Sequence, residues 1–159
     1  MTTSLTEVCD LFLATTSDFR LSDIYQTSGS LTMNTVMEPW LLYSIDDFSD
    51  ICDQELTYTV TSGSSDGYFS EDLNKRNQLM LAYVMSYYWL KRQIDDLNQM
   101  INFVQGKDYK RFDPSNQLKE KMRLMNARRE EINQKLIDYE YRNLDWESWY
   151  NQVFYDDGS

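Results

Sequence analysis

Two stretches decide how this chain reads: YVMSYYWLKRQIDDLNQMINFVQGKDY at 83–109 and PSNQLKEKMRLMNARREEINQKLIDYEYRN at 114–143. In the first, Tyr83, Tyr87, Leu90, Ile94, Leu97, Ile101 and Val104 follow one another in steps of four and three. In the second, the same steps run through Leu118, Met122, Met125, Arg129, Ile132, Leu136 and Tyr139, with Arg129 the one polar interruption. Such spacing puts each set on one stripe of a helix. Two facing stripes bury a coiled-coil-like seam. Gly106 suits a left-handed C-cap for the first helix. Asp113 and Pro114 suit the cap and first turn of the second. The link between them is short, so an antiparallel helical hairpin is expected over 72–143.

Working outward, helix is predicted again from Pro39. Trp40, Leu41, Ile45, Phe48 and Cys52 form its apolar stripe, and Asp46, Asp47, Asp50 and Asp53 face out. Residues 4–16 predict a short helix, with Ser4 and Glu7 at capping-box spacing and Leu5, Val8, Leu11 and Phe12 on one face. Between these, residues 17–37 are rich in Ser and Thr and contain Gly29; they read as a connecting segment with a helical turn near Leu21–Tyr25. The β-branched alternation of LTYTVTS (56–62) predicts a short strand or extended arm. GSSDG (63–67) is a turn, and the tip of a hairpin if residues 68–70 pair back. Ser70, Glu71 and Asp72 then lead into a helix beginning near Asp72. The expected fold is all-α: a helical bundle built on the long hairpin, with a flexible or short β arm near 56–70. Residues 1–143 form the helical domain, and residues 144–159 an extended aromatic tail.

Composition sets the limits. A chain of 159 residues with 42% hydrophobic content builds one domain with a core. Only 5 Gly and 2 Pro favour helix over sheet. Net charge is -11, unevenly spread: residues 1–72 hold one base, Arg20, and sum to -12, whereas residues 107–135 sum to +4. Phosphate contacts need a basic face, so binding of nucleic acid by the whole surface is not expected. No apolar run is long enough to span a bilayer. The first residues show no basic stretch followed by an apolar core, so no signal peptide is expected. Cys9 and Cys52 lack metal-ligand spacing and read as small buried hydrophobes in a reducing compartment.

The residues give little chemistry to work with. There is no histidine, which removes the commonest general base and most metal and triad arrangements. Asp46, Asp47 and Asp50 read as a solvated helix face rather than a divalent-cation site. GKDYKR (106–111) reads as a solvated basic loop, since no glycine-rich cradle accompanies it. The aromatic run Tyr83, Tyr87, Tyr88 and Trp89 reads as packing, because base stacking needs a basic groove. No enzymatic activity, cofactor or metal is expected.

One combination of motifs resembles a known family. Phe69, Asp72 and Leu73 open a helix as F-x-x-D-L; Trp89, Leu90 and Ile94 form a WL-x-x-x-I block. Lys107, Asp108 and Tyr109 make a KDY turn; Leu118, Lys119 and Glu120 start an LKE helix that closes on Tyr139, Tyr141, Arg142 and Asn143. This order is similar to the head–tail connector (adaptor or neck) proteins of tailed bacteriophages, and EPWLLYSIDDFSDICDQEL (38–56) resembles the helix that precedes these motifs there. The likeness covers about two-thirds of the chain; the first 30 residues and the tail after Asn143 depart from it. It implies a non-enzymatic virion protein in the neck, assembled in the host cytoplasm. It further implies a ring, twelve-fold in such adaptors, that joins the portal protein to a neck or tail-completion protein and surrounds the DNA channel. DNA would pass without sequence-specific binding, and no membrane is involved.

Two sets of contact residues follow as expectations. Trp146, Trp149, Tyr150, Val153, Phe154 and Tyr155 would dock on the portal or a neighbour, since Trp and Tyr dominate binding hot spots. Lys119, Arg123, Arg128 and Arg129 of the basic hairpin would meet Asp46, Asp47 and Asp50 of an adjacent subunit, because an unevenly charged molecule can pack end to side. The competing reading is a small acidic helical protein that regulates or inhibits a nucleic-acid enzyme by imitating DNA charge. It accounts for -11 but not for the basic hairpin or the aromatic tail.

Overall fold

The computed structural model describes residues 2–16, 19–60, 66–103 and 114–144. The described chain is mostly helical, with one small two-stranded sheet. Helix α1 (Leu5–Thr15) begins with a complete capping box: Ser4 Oγ accepts from the Glu7 N–H at 3.3 Å, and the Glu7 carboxylate accepts from the Ser4 N–H at 2.9 Å. Leu5, Val8, Cys9 and Phe12 are its buried face.

Helix α2 (Phe19–Ser49) overturns the expected connecting segment over 19–37 and the expected helix start at Pro39. One helix runs through Pro39. A proline inside a helix removes a hydrogen bond and crowds the preceding turn, at a cost of about 3 kcal/mol. Burial offsets it: Asn34, Met37, Leu41, Ser44 and Phe48, in steps of three and four, are all 2% exposed or less. The stripe therefore extends on both sides of Pro39. Two of its members are polar, and both are satisfied: Asn34 donates to Thr6 Oγ1 at 2.7 Å and Asp66 Oδ1 at 3.4 Å, and Ser44 to the Trp40 carbonyl at 2.7 Å.

Strands β1 (Tyr58–Val60) and β2 (Gly67–Phe69) pair antiparallel, with Thr59 opposite Tyr68. The N-terminal segment lies along the free edge of β2, where the Thr3 carbonyl accepts from the Phe69 N–H at 2.8 Å. Gly67 leaves room for the Tyr58 ring: a Cβ there would stand 2.0 Å from the Tyr58 hydroxyl, so the ring would have to move.

Helix α3 (Lys75–Phe103) starts three residues later than expected, capped by Asn74, whose Oδ1 accepts from the Asn77 N–H at 2.8 Å. Its first half is covered on most sides. Met80, Leu81, Ala82, Val84, Met85 and Trp89 are buried, whereas of the expected stripe Ile94 is buried and Tyr83, Tyr87, Leu90 and Leu97 are only half-buried. Met80, Leu81, Ala82, Met85 and Trp89 share one core with residues of α1 and α2, whereas Tyr83, Val84 and Tyr87 lie toward helix α4 (Pro114–Asn143). On α4, Ile132 and Tyr139 are buried, Leu118, Met125 and Leu136 half-buried, and Met122 and Arg129 exposed. Arg76 packs on Tyr139, Lys135 on Tyr83, and Lys121 bonds to Gln93, an order that runs oppositely along the two helices. Ile101 and Val104, the turn with Gly106 and GKDYKR, and Asp113 lie outside the residues whose side chains are described. Among the described residues, no helix is long and apolar enough to cross a membrane.

Candidate functional site

Two features stand out where α4 meets the rest of the chain. The first is a polar cluster that joins three elements. The Tyr139 hydroxyl, on α4, donates to Asp53 Oδ1, accepts from the Asp53 N–H at 3.0 Å and lies 2.8 Å from Asn77 Oδ1. The Asn77 amide, on α3, donates at 2.8 Å to both Asp53 Oδ1 and Gln54 Oε1. Gln54 Oε1 also accepts from the Asn74 N–H at 2.8 Å. The segment after α2 thus closes over the start of α3 and the last turns of α4. Hydrogen bonds from Tyr139 and Asn77 hold the Asp53 carboxyl below its ordinary range, so it stays ionised. Burial, reinforced by the Asp53 carboxylate, pushes the Tyr139 phenol up to about 12. Burial also raises the Cys52 thiol, and takes the Cys9 thiol up to about 12. Neither is a thiolate at neutral pH, and the thiolate is the nucleophilic form. What this cluster offers is hydrogen bonding.

The second feature is an open cleft of about 330 Å³ between α3 and α4, reached by Asp47 from α2. Val84, Ile132 and Leu136 supply its apolar floor, Tyr87 and Tyr88 its aromatic wall, and Lys91 and Arg129 its charge. Tyr88 donates to Asp47 Oδ2 at 2.6 Å, and burial together with that carboxylate raises the phenol's pKa. Tyr43, 56% exposed, extends the wall: its ring lies 5.2 Å from Tyr88, which lies 5.4 Å from Tyr87. On the other side of α4 a groove of about 270 Å³ is lined by Trp89, Gln93, Lys121, Leu124 and Arg128, among others.

The residues singled out from the sequence are distributed as follows. Asp46, Asp47 and Asp50 are exposed on α2. Arg128 and Arg129, adjacent in sequence, face different grooves, because successive residues on a helix are separated by about 100°. Asp47 and Arg129 line the same cleft within one subunit. Arg123 is tied to Glu120 at 2.8 Å and Arg128 to Glu131 at 3.1 Å, and Lys119 is exposed. Trp146, Trp149, Tyr150, Val153, Phe154 and Tyr155 lie outside the described residues. The Tyr139–Asp53–Asn77 cluster was missed: Asp53 reads as one more outward acid and Tyr139 as a stripe residue. The Asn74–Asn77 spacing was the one available signal, and it indicates a helix cap rather than a partner 62 positions away. Among the described residues, no group of three or more His, Cys, Asp or Glu could hold a metal ion. Compared with known proteins, the chain matches no family model, no curated protein and no solved structure.

Proposed function

We propose that this chain is a head–tail connector subunit of a tailed bacteriophage. In this reading it is a non-enzymatic virion protein that forms a ring, twelve-fold by resemblance, between the portal and a neck or tail protein, around the DNA channel. The observation that carries the reading is the split of exposed charge. Asp46, Asp47 and Asp50 are exposed on α2; Lys119, Arg123 and Arg129 are exposed on α4. Asp47 and Arg129 share the cleft, but the remaining exposed charges of opposite sign sit on separate helices, which suits a heterologous contact in which one face of a subunit meets another face of the next and the series closes by rotation. The order of motifs from Phe69 to Asn143 supports the same reading. The helical bundle, built on α3 and α4, is the rigid body of the subunit, and residues 144–159 are its docking arm.

The test is the mass of the purified protein alone and with a portal ring. A ring-sized complex with the portal, lost when Arg128 and Arg129 are both changed to Glu in a protein that stays folded, supports the reading. No complex with a portal, but inhibition of a nucleic-acid enzyme relieved by salt, would favour the acidic DNA-mimic instead. That second reading draws on the exposed acidic row of α2 and the net charge of -11.

A further inference from the structure

We propose that the cleft between α3 and α4 seats the C-terminal segment, residues 144–159, of a neighbouring copy of this chain. Self-association is all the inference requires, whatever assembly the copies serve. The cleft holds about 330 Å³, within the range of pockets that take large side chains or small ligands. Its wall is aromatic, Tyr87 and Tyr88 with Tyr43 stacked behind, and its floor is apolar. Lys91 and Arg129 are exposed, and among the described residues neither has a salt-bridge partner. Asp47 is the one acid in the lining, and its carboxylate already accepts from the Tyr88 hydroxyl, so the cleft carries a net positive charge.

The segment after Asn143 is its chemical complement. It contains Trp146, Trp149, Tyr150, Phe154 and Tyr155, four acids (Asp145, Glu147, Asp156 and Asp157) and no base. Aromatic rings prefer edge or offset contact with other rings, and Trp and Tyr carry most of the energy at interfaces. The acids would meet Lys91 and Arg129.

The helix direction points to a neighbour's cleft rather than the subunit's own. Tyr139 is held against Asp53, and α4 continues to Asn143. From Ile132 in the cleft to Asn143 is about 16 Å of helix at ~1.5 Å per residue. Seating the segment in its own cleft would require the chain to reverse at the Leu144 bend and run back along α4, whereas a neighbour's cleft requires no such return. In sequence, Trp146, Trp149, Tyr150, Val153 and Phe154 keep helical three–four spacing. The segment spans about 24 Å as a helix and about 50 Å fully extended, a reach that extends beyond its own subunit.

Complementation tests this with two variants of the full chain, studied by sedimentation velocity at low salt. One carries Lys91→Glu and Arg129→Glu; the other ends at Asn143. Circular dichroism and melting confirm folding, and Trp149→Asp replaces the truncation if the shortened chain is unstable. The wild type is expected to self-associate, less so as salt rises. Each variant alone should associate roughly tenfold more weakly or worse. Their equimolar mixture should recover association, because it pairs an intact segment with an intact cleft. A variant that associates like the wild type overturns the proposal. So does a mixture as weak as its components, or a wild type that stays monomeric, both of which would place the segment elsewhere. Binding to a portal ring is read separately, so the connector proposal can fail while this one stands, and the reverse.

Discussion

Replacing Tyr139 with Phe removes one oxygen and leaves the ring. The ring contacts should survive, since Phe48 meets it edge-on at 5.1 Å between centroids and the Arg76 guanidinium lies 4.1 Å from its centre. What is lost is the hydroxyl's bond to the Asp53 carboxylate, and with it the partner of the Asp53 N–H. A hydrogen bond to a charged group contributes about 1.5–3 kcal/mol. Asp53 is exposed, so water recovers part of this, and the expected loss is about 1–2 kcal/mol. For a chain of this size, ~1 kcal/mol moves Tm by about 2–4 °C, so Tm should fall by about 2–8 °C. The substitution also changes the response to acid. Asp53's folded pKa lies below its ordinary value of 3.8, because Tyr139 and Asn77 hydrogen-bond the charged form. The folded protein then binds fewer protons than the unfolded chain, and the stabilisation is complete above the unfolded pKa. It is lost as pH falls through the folded pKa. The wild type should therefore lose more stability than Tyr139→Phe between neutral pH and the acid range. Calorimetric melting across pH, with carboxyl NMR titration of Asp53, measures both effects. An unchanged Tm together with an unchanged Asp53 titration would refute the view that this cluster ties the segment after α2 to α3 and α4.

Other expectations follow from burial and close approach. Leu81→Ala, at a fully buried position of α3, should cost about 2–5 kcal/mol, and Leu97→Ala, at a half-buried one, clearly less; equal losses in denaturant titration would contradict the burial assigned to α3. Gly67→Ala should displace the Tyr58 ring, weaken its 3.1 Å hydrogen bond to Glu38 and cost about 1–3 kcal/mol, as overpacking does. A melting temperature at the wild-type value would rule out the Gly67–Tyr58 approach. Cys9, 2% exposed with its thiol pushed up to about 12, should resist a maleimide in the folded protein and react after unfolding, read by mass spectrometry. Rapid labelling of the native chain at Cys9 would show that the face of α1 carrying it is not buried.

Much of the local structure could be read from residues alone. Ser4 and Glu7 announced the start of α1, because a capping box is written within one turn. Alternation marked 56–62 as a strand or an extended arm, but whether residues 68–70 would pair back on it was settled only by the fold, which pairs β1 with β2. The three–four spacing of Tyr83 to Leu97 was enough to specify a helix. It was not enough to say which side of α3 lies deepest. Met80, Leu81, Met85 and Trp89 are apolar too, and only the packing of α1 and α2 decides that theirs is the buried side. The long α2 was hidden for the opposite reason. Pro39 and the Ser- and Thr-rich stretch before it carry local preferences against helix, and tertiary burial of Met37, Leu41 and Phe48 overrode them. The Tyr139–Asp53–Asn77 cluster and the cleft at Tyr87, Tyr88, Lys91 and Arg129 belong wholly to the tertiary structure. Each depends on residues from separate elements converging at hydrogen-bond or contact distance. Spacing within one helix carries no record of which distant side chain will arrive opposite it.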